Sequence, residues 1–262
     1  MRLPAVAGQF YPGSGTELEH QLDSMLHPEK ELSVMGAVVP HAGYIYSGQV
    51  AAAVYSRLPK AETYVIIGPN HHGLGSPVAL SRDSWRTPLG SVEPDLELAD
   101  ALAGSIIDHD ETAHLHEHSI EVQIPFLQKR FQGFKILPIC MGLQDEQTAV
   151  EVGQVLSRAV QKLNRSCIVI ASSDFTHYEP QETARKVDAK LMEAILNMDV
   201  PELYDRVYRY DATACGYGPI AVTITATAAL GAKAGKLLAY ATSGDVSGDY
   251  SQVVGYGAIV FS

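Results

Sequence analysis

Hydrophobic positions along the chain fall into two recurring patterns. Short continuous apolar runs predict strands buried on both faces at Val34–Val39, Thr63–Ile67, Lys135–Ile139 and Cys167–Ala171. Two later β-rich runs, Leu237–Ala241 and Val253–Phe261, predict further strands. Between them, segments with a 3.6-residue repeat predict helices at Ser47–Arg57, Leu96–Leu102, Ile120–Phe131, Glu146–Leu163, Glu182–Asn197, Glu202–Tyr208 and Pro219–Ala232. Strand–helix alternation predicts an α/β fold: a largely parallel or mixed central sheet with helices on both faces. No repeat, linker or low-complexity segment divides the chain, so residues 1–262 are expected to form a single domain.

Three of the predicted strands end in polar loops that carry histidine. Val34–Val39 runs into Pro40-His41-Ala42-Gly43-Tyr44, and Thr63–Ile67 into Gly68-Pro69-Asn70-His71-His72-Gly73. Cys167–Ala171 runs into Ser172-Ser173-Asp174-Phe175-Thr176-His177-Tyr178. Ligands bind beyond the carboxyl ends of strands in open parallel sheets, so these loops are expected to meet at one edge.

His41 and His71 are the leading metal-ligand candidates, because imidazoles gathered from separate elements suit a transition metal. A loop histidine bonded to backbone is the ordinary alternative for each. His72 competes with His71, and one of the two is expected to face the pocket. Cys215, just ahead of a predicted helix, is the third candidate, since a helix N-terminus favours the thiolate. Cys140 and Cys167 lie in or beside apolar strands and are expected to be inert. Asp174 and His177 are expected to form a carboxylate-oriented proton-transfer pair. The alternative is that Ser172, Ser173 or Asp174 caps a helix. In the run His114–Glu121, most of the chain is expected to be solvated loop, with His118 and Glu121 reaching the pocket. Tyr44 and Asp249 complete the expected lining, the latter from the turn-rich segment 242–250. Gly216-Tyr217-Gly218-Pro219-Ile220-Ala221 fits a degenerate dinucleotide pattern, but it follows no strand and carries a proline where backbone N–H groups are needed.

Charge narrows the choice of partner. With 19 basic and 30 acidic residues the net charge is −11, which argues against nucleic acid and against an anionic membrane surface. The longest apolar stretch, Ile220 to Leu230, contains three threonines and is shorter than the roughly 18–20 residues of a membrane span. Three cysteines without CxxC spacing give no disulfide framework, and a cytoplasmic location is expected.

Motifs distributed over almost the whole chain resemble the Memo family. They are Ala5-Val6-Ala7-Gly8-Gln9-Phe10-Tyr11-Pro12, the PHAGY, GPNHH, EHSIE and SSDFTHY stretches, the Cys215 segment, and Val254-Gly255-Tyr256-Gly257-Ala258. The resemblance implies a fold similar to class III (LigB-type) extradiol dioxygenases, in which two histidines and a carboxylate hold iron(II) beside an acid/base histidine. Carried onto this chain, His41 and His71 match the histidine ligands, and His177 resembles the acid/base histidine. Cys215 falls where the dioxygenases have their carboxylate. A thiolate is softer and shifts preference toward copper, zinc or a differently tuned iron. The expected cofactor is therefore one transition-metal ion, iron(II) first, copper or zinc as alternatives. The expected activity is metal-dependent redox chemistry, with His118 and His177 beside the ion. A metal-free peptide-binding module and a zinc hydrolase with Glu121 or His177 as base are the competing readings. The resemblance also implies a small-molecule or phosphotyrosine-peptide ligand, and partnership with a radical-SAM protein and a small companion protein.

Overall fold

In the computed structural model, which describes residues 1–262, the continuous apolar runs become the middle of one sheet. Along the chain the first elements are α1 (Gly15–Met25), β1 (Gly36–Val39), α2 (Tyr44–Tyr55), β2 (Thr63–Pro69), β3 (Val78–Leu80), β4 (Trp85–Thr87), β5 (Gly90–Val92), α3 (Leu96–Ala101) and β6 (Asp108–His109). After two 3₁₀ turns come α4 (Ile124–Arg130), β7 (Lys135–Met141), α5 (Glu146–Leu163), β8 (Cys167–Ser172) and β9 (His177–Glu179). The last elements are α6 (Gln181–Leu196), α7 (Val200–Arg209), α8 (Tyr217–Leu230), β10 (Gly235–Thr242), α9 (Gly244–Ser247) and β11 (Val253–Phe261).

The spatial order is β10-β11-β1-β8-β2-β7-β3-β6, with β9 paired to β11, and β4 and β5 as a separate hairpin. β1, β8, β2 and β7 are parallel, with Val39 opposite Ser172 and Val65 opposite both Val169 and Leu137. Antiparallel strands flank this block: β11 beside β1, and β3 beside β7. The sheet is therefore mixed, with a parallel centre.

Alternation across the pleat divides the core in two. Tyr64 and Ile66 of β2 face α1, α2 and α4, whereas Val65 and Ile67 face α5 to α8. α5 spans the segment its pattern predicts. The Asp145 carboxylate accepts the Thr148 N–H at 3.0 Å to start it, and Asn164 in the left-handed region (φ 48°) ends it. α8 is apolar all round because both of its sides are buried, and no helix of the protein is long and apolar enough to cross a membrane.

The segment His114–Glu121 departs from expectation. It is not mostly solvated: His114, Glu117 and Glu121 are fully buried, because the chain's first residues run across it. The Arg2 guanidinium donates to the His114 and Glu117 carbonyls and pairs with Glu121 at 2.6 Å, its carbon lying 4.1 Å over the centre of the Trp85 ring.

Candidate metal centre

The parallel block ends at one edge, and three of its strands deliver the site. β1 leads through Pro40 to His41, β2 ends at Pro69 just before Asn70 and His71, and β8 runs into Ser172–Asp174 between them. Cys215 arrives from the segment before α8. It is tied to the β8 loop by two reciprocal contacts: Cys215 N–H donates to the Asp174 carbonyl, and Asp174 N–H to the Cys215 side-chain sulfur, each at 3.3 Å. This approach needs glycine at 216, where a Cβ would lie 2.7 Å from the Ser172 carbonyl oxygen.

His41, His71 and Cys215 bring their ligand atoms within 4.8 Å of one another, and His41 Nε2 lies 3.2 Å from Cys215 Sγ. His41 is buried. Its N–H donates to Asp174 Oδ1 at 2.7 Å, and its Nδ1 meets Ser172 Oγ at 3.0 Å. Burial, and then the neighbouring His118 and His71, hold its pKa well below the usual histidine range. Burial pushes the Asp174 carboxyl up to about 6. The Cys215 thiol is also pushed up, first by burial and then by Asp174, so the expected helix-terminus effect on the thiol is overridden.

Glu117 organises the second half of the site. Its buried carboxylate accepts His71 Nδ1 at 3.0 Å and the N–H groups of His71, His118 and Ser119 at 2.7–2.8 Å. Burial disfavours that charge, but the His71 hydrogen bonds and the electrostatic attraction of His71 and His118 more than offset this, and the carboxyl stays well below its usual range. A second group of metal-capable side chains, His71, Glu117 and His118, is therefore already knitted together by hydrogen bonding. The His118 ring stacks on His71 with centroids 4.6 Å apart, stands edge-on to His41 at 5.4 Å, and packs on Phe10. Burial lowers its pKa to about 4.

These rings border a cavity of about 350 Å³, together with Asp174, His177, Tyr178 and Phe10. His177 is held by Thr213, whose hydroxyl accepts its N–H at 2.7 Å and whose carbonyl meets Nδ1 at 2.9 Å. The expected Asp174–His177 hydrogen bond does not form, because Asp174 faces the His41 backbone instead. Nor does the 172–174 loop cap a helix, since β9 follows it. Tyr178 takes a left-handed backbone (φ 59°) and stands 71% exposed at the cavity mouth.

Four expected lining residues lie elsewhere. Glu121 accepts Arg2, Tyr11 and the Ala5 and Val6 N–H groups, so no oxygen is left for a pocket. Tyr44 is buried with its hydroxyl on the Val122 carbonyl. His72 turns outward toward His116, and Asp249 is an exposed turn acceptor for Ser251. Cys140 and Cys167 sit in strands with thiols pushed up by burial, Cys167 to about 12. Gln123, Thr213 and Glu117 are the supporting residues that residue pattern does not single out, and Ser172, expected only as an alternative helix cap, supports His41 instead. For Glu117 the one local hint is its place between His116 and His118.

Fold and site together define an α/β protein with a candidate two-histidine, one-cysteine metal pocket at the carboxyl edge of its parallel strands. The chain belongs to the Memo-like protein family, whose profile matches residues 2–260. A MEMO1 family protein of Methanosarcina mazei is 57% identical over 263 residues, covering 99% of this chain and 98% of that protein. MEMO1 family proteins of Archaeoglobus fulgidus and Methanocaldococcus jannaschii are 52% and 49% identical, each covering at least 98% of both chains. An uncharacterized protein of Escherichia coli K12 shares the fold, with a TM-score of 0.56 at 13% identity over 86% of this chain and 98% of that one.

Proposed function

We propose that the chain is a metal-dependent oxidoreductase, dioxygenase-like in kind, with one transition-metal ion held by His41, His71 and Cys215. Iron(II) comes first and copper second, an order that follows the resemblance to extradiol dioxygenases; zinc, which has no redox chemistry, is the alternative ion that belongs to the hydrolase reading. The observation that carries the reading is the convergence of two imidazoles and a thiol within 4.8 Å. The donor set fits such an ion. His41 and His71 turn their Nδ1 edges to Ser172 and Glu117, which leaves each Nε2 as the ligand atom. The thiol faces His41 Nε2 at 3.2 Å, and a cation takes the place of that proton, because the thiolate is the form that binds metal. When bound, the ion supplies a redox centre with coordination positions left for a substrate.

The chain's own residues do the rest. His177, fixed through both its backbone and its Nδ1 by Thr213, accepts or returns a proton at Nε2. Asp174 keeps the His41 backbone in place, and Glu117 keeps the His71 ring in place. Phe10 and Tyr178 add aromatic surface to the cavity lining. Glu121 is too well satisfied to act as a hydrolytic base, which weighs against the hydrolase reading. No lysine or arginine lines the cavity, which weighs against a phosphotyrosine ligand. A radical-SAM protein and a small companion protein are proposed as partners on the family resemblance alone.

The test is elemental analysis of protein purified without oxygen or chelator, alongside Cys215→Ala. Near-stoichiometric iron or copper, lost in the variant, supports the proposal. Zinc alone redirects it to hydrolysis, and a folded wild-type protein that never retains metal overturns it.

A further inference from the structure

The sheet has two ends, and they differ. At one, β6 is only two exposed residues, Asp108 and His109; at the other, β10 runs for eight residues and pairs with β11 alone. Reciprocal bonds between Ala234 and Ser262 fix the phase of the β10–β11 ladder at its start, and Ser243 N–H on the Val254 carbonyl fixes it at its end. Bonded and non-bonded pairs alternate along an antiparallel ladder. Gly235 and Leu237 therefore turn their backbone groups away from β11, and so do Tyr240 and Thr242. The Asp245 carboxylate takes the Thr242 N–H at 2.8 Å, but no loop or side chain bonds to the backbone between 235 and 241.

A β-bulge divides this open edge. The register slips between Leu237, opposite Ile259, and Ala239, opposite Ala258. The outward row is consequently 235, 237, 240 and 242, which reads the same from either end. A regular strand offers outward groups two residues apart, so it fits this row on one side of the bulge only. A second copy running antiparallel brings its own bulge to the same place. Leu237 then lies opposite the partner's Tyr240, and Gly235 opposite the partner's Thr242. The side chains agree with this register. Leu237 shares the face of Ile259, and Tyr240 packs on that same core, so each half sets a leucine against a tyrosine on one face. Leu238, Ala239 and Ala241 lie on the other face. Lys236 is the one charged residue of β10 and falls opposite the partner's Ala241, so no like charges meet. Leu237 is 38% exposed in the single chain.

We propose that the β10 edge pairs antiparallel with the β10 edge of a second copy of this chain, about a two-fold axis through the bulge, so that one sheet runs through both molecules. A bulge ordinarily blunts an edge against foreign strands, and here it favours the strand that carries the same bulge. Eight residues a side is fewer than the roughly 20–30 of a standard interface, so the dimer dissociates on dilution. The pairing is independent of the metal reading.

The experiment is sedimentation equilibrium of the full chain over about a hundredfold range of concentration, with amide hydrogen exchange at both extremes. A monomer–dimer equilibrium is expected, with the Leu237 and Tyr240 amides protected only at the high concentration. Leu237→Pro removes an outward N–H and no bond to β11, a position where an edge strand tolerates proline, and should leave monomer at every concentration. Leu237→Lys keeps the backbone intact and should weaken the dimer at least tenfold, whereas Leu143→Lys, on the exposed turn after β7, should not. Circular dichroism checks that each variant is folded; if the proline variant is not, the lysine pair decides. Wild-type monomer at all concentrations overturns the proposal. So does a dimer that survives Leu237→Lys unchanged, or one in which the two amides stay unprotected. Metal content read on the same samples tests the other proposal separately.

Discussion

Glu121→Gln separates a structural strut from a pocket residue. The Glu121 carboxylate is wholly buried, with Oε1 accepting the Tyr11 hydroxyl at 2.6 Å and the Val6 N–H at 3.1 Å. Oε2 accepts Arg2 Nη1 at 2.6 Å and the Ala5 N–H at 2.8 Å. An amide offers one acceptor oxygen in place of two. If its NH₂ takes the Oε1 position, the Tyr11 hydroxyl can rotate to accept, but the Val6 N–H is stranded, at about 1–3 kcal/mol. Arg2 meanwhile keeps its buried charge and loses its counter-charge. Breaking a buried ion pair from one side costs about 3–5 kcal/mol in all. At about 2–4 °C per kcal/mol for a chain near this size, Tm falls by roughly 6–20 °C. Calorimetry measures the shift, and elemental analysis of the folded protein at 25 °C is expected to find the metal content of wild type. The double variant Arg2→Met/Glu121→Leu should recover much of the loss, because neither charge is then left alone. Wild-type Tm combined with lost metal would refute the strut and return Glu121 to the pocket.

Other perturbations test other parts of the molecule. Burial lowers His114 to about 4, so between that pH and about 6.5 the unfolded chain binds a proton that the folded chain does not. Stability is therefore full above about pH 6.5 and is lost as pH falls toward 4, by about 3 kcal/mol for this group. His114→Phe should flatten that part of the acid limb of urea midpoint against pH, leaving the share that His118 contributes in the same window. Glu117→Gln removes one of two oxygens that accept His71 and three backbone N–H groups, and metal affinity measured by competition should drop about 10- to 100-fold. Tyr178→Asn keeps the left-handed backbone with a residue that tolerates it, and should raise stability by about 1 kcal/mol in urea titrations; a fall of that size would mean the exposed ring is packed after all.

The parallel centre of the sheet was legible because β1, β2, β7 and β8 are buried on both faces and so carry no polar alternation. β3 and β6 escaped because two or three residues give no period to detect. α1 does carry Leu18, Leu22 and Met25 at helical spacing, but its other eight positions add nothing apolar enough to stand out. The convergence of His41, His71 and Cys215 could be anticipated because they follow strands or precede a helix, where backbone rules locate them. Glu117 and Thr213 could not, since both act from irregular chain whose course depends on distant residues. Arg2, for example, reaches across 115 positions to the Glu117 carbonyl. Glu121 misled for the same reason: its partners are the first residues of the chain, and no local pattern announces them.

The position of β8 has a consequence for synthesis on the ribosome. β8 lies between β1 and β2, yet it is the last of the four parallel strands to be made. After Pro69 the ribosome must add 172 − 69 = 103 residues before Ser172 completes it. At about 5–20 residues per second, that leaves roughly 5–20 s in which β1 and β2 exist without the strand that joins them. β1 waits longer still for β11, at the far end of the chain. During that interval two strands of almost wholly apolar sequence present open hydrogen-bonding edges, the condition under which nascent chains pair with the wrong partner. Slow translation through 70–172, or low chaperone capacity, should therefore cost soluble yield while leaving the completed protein's stability unchanged.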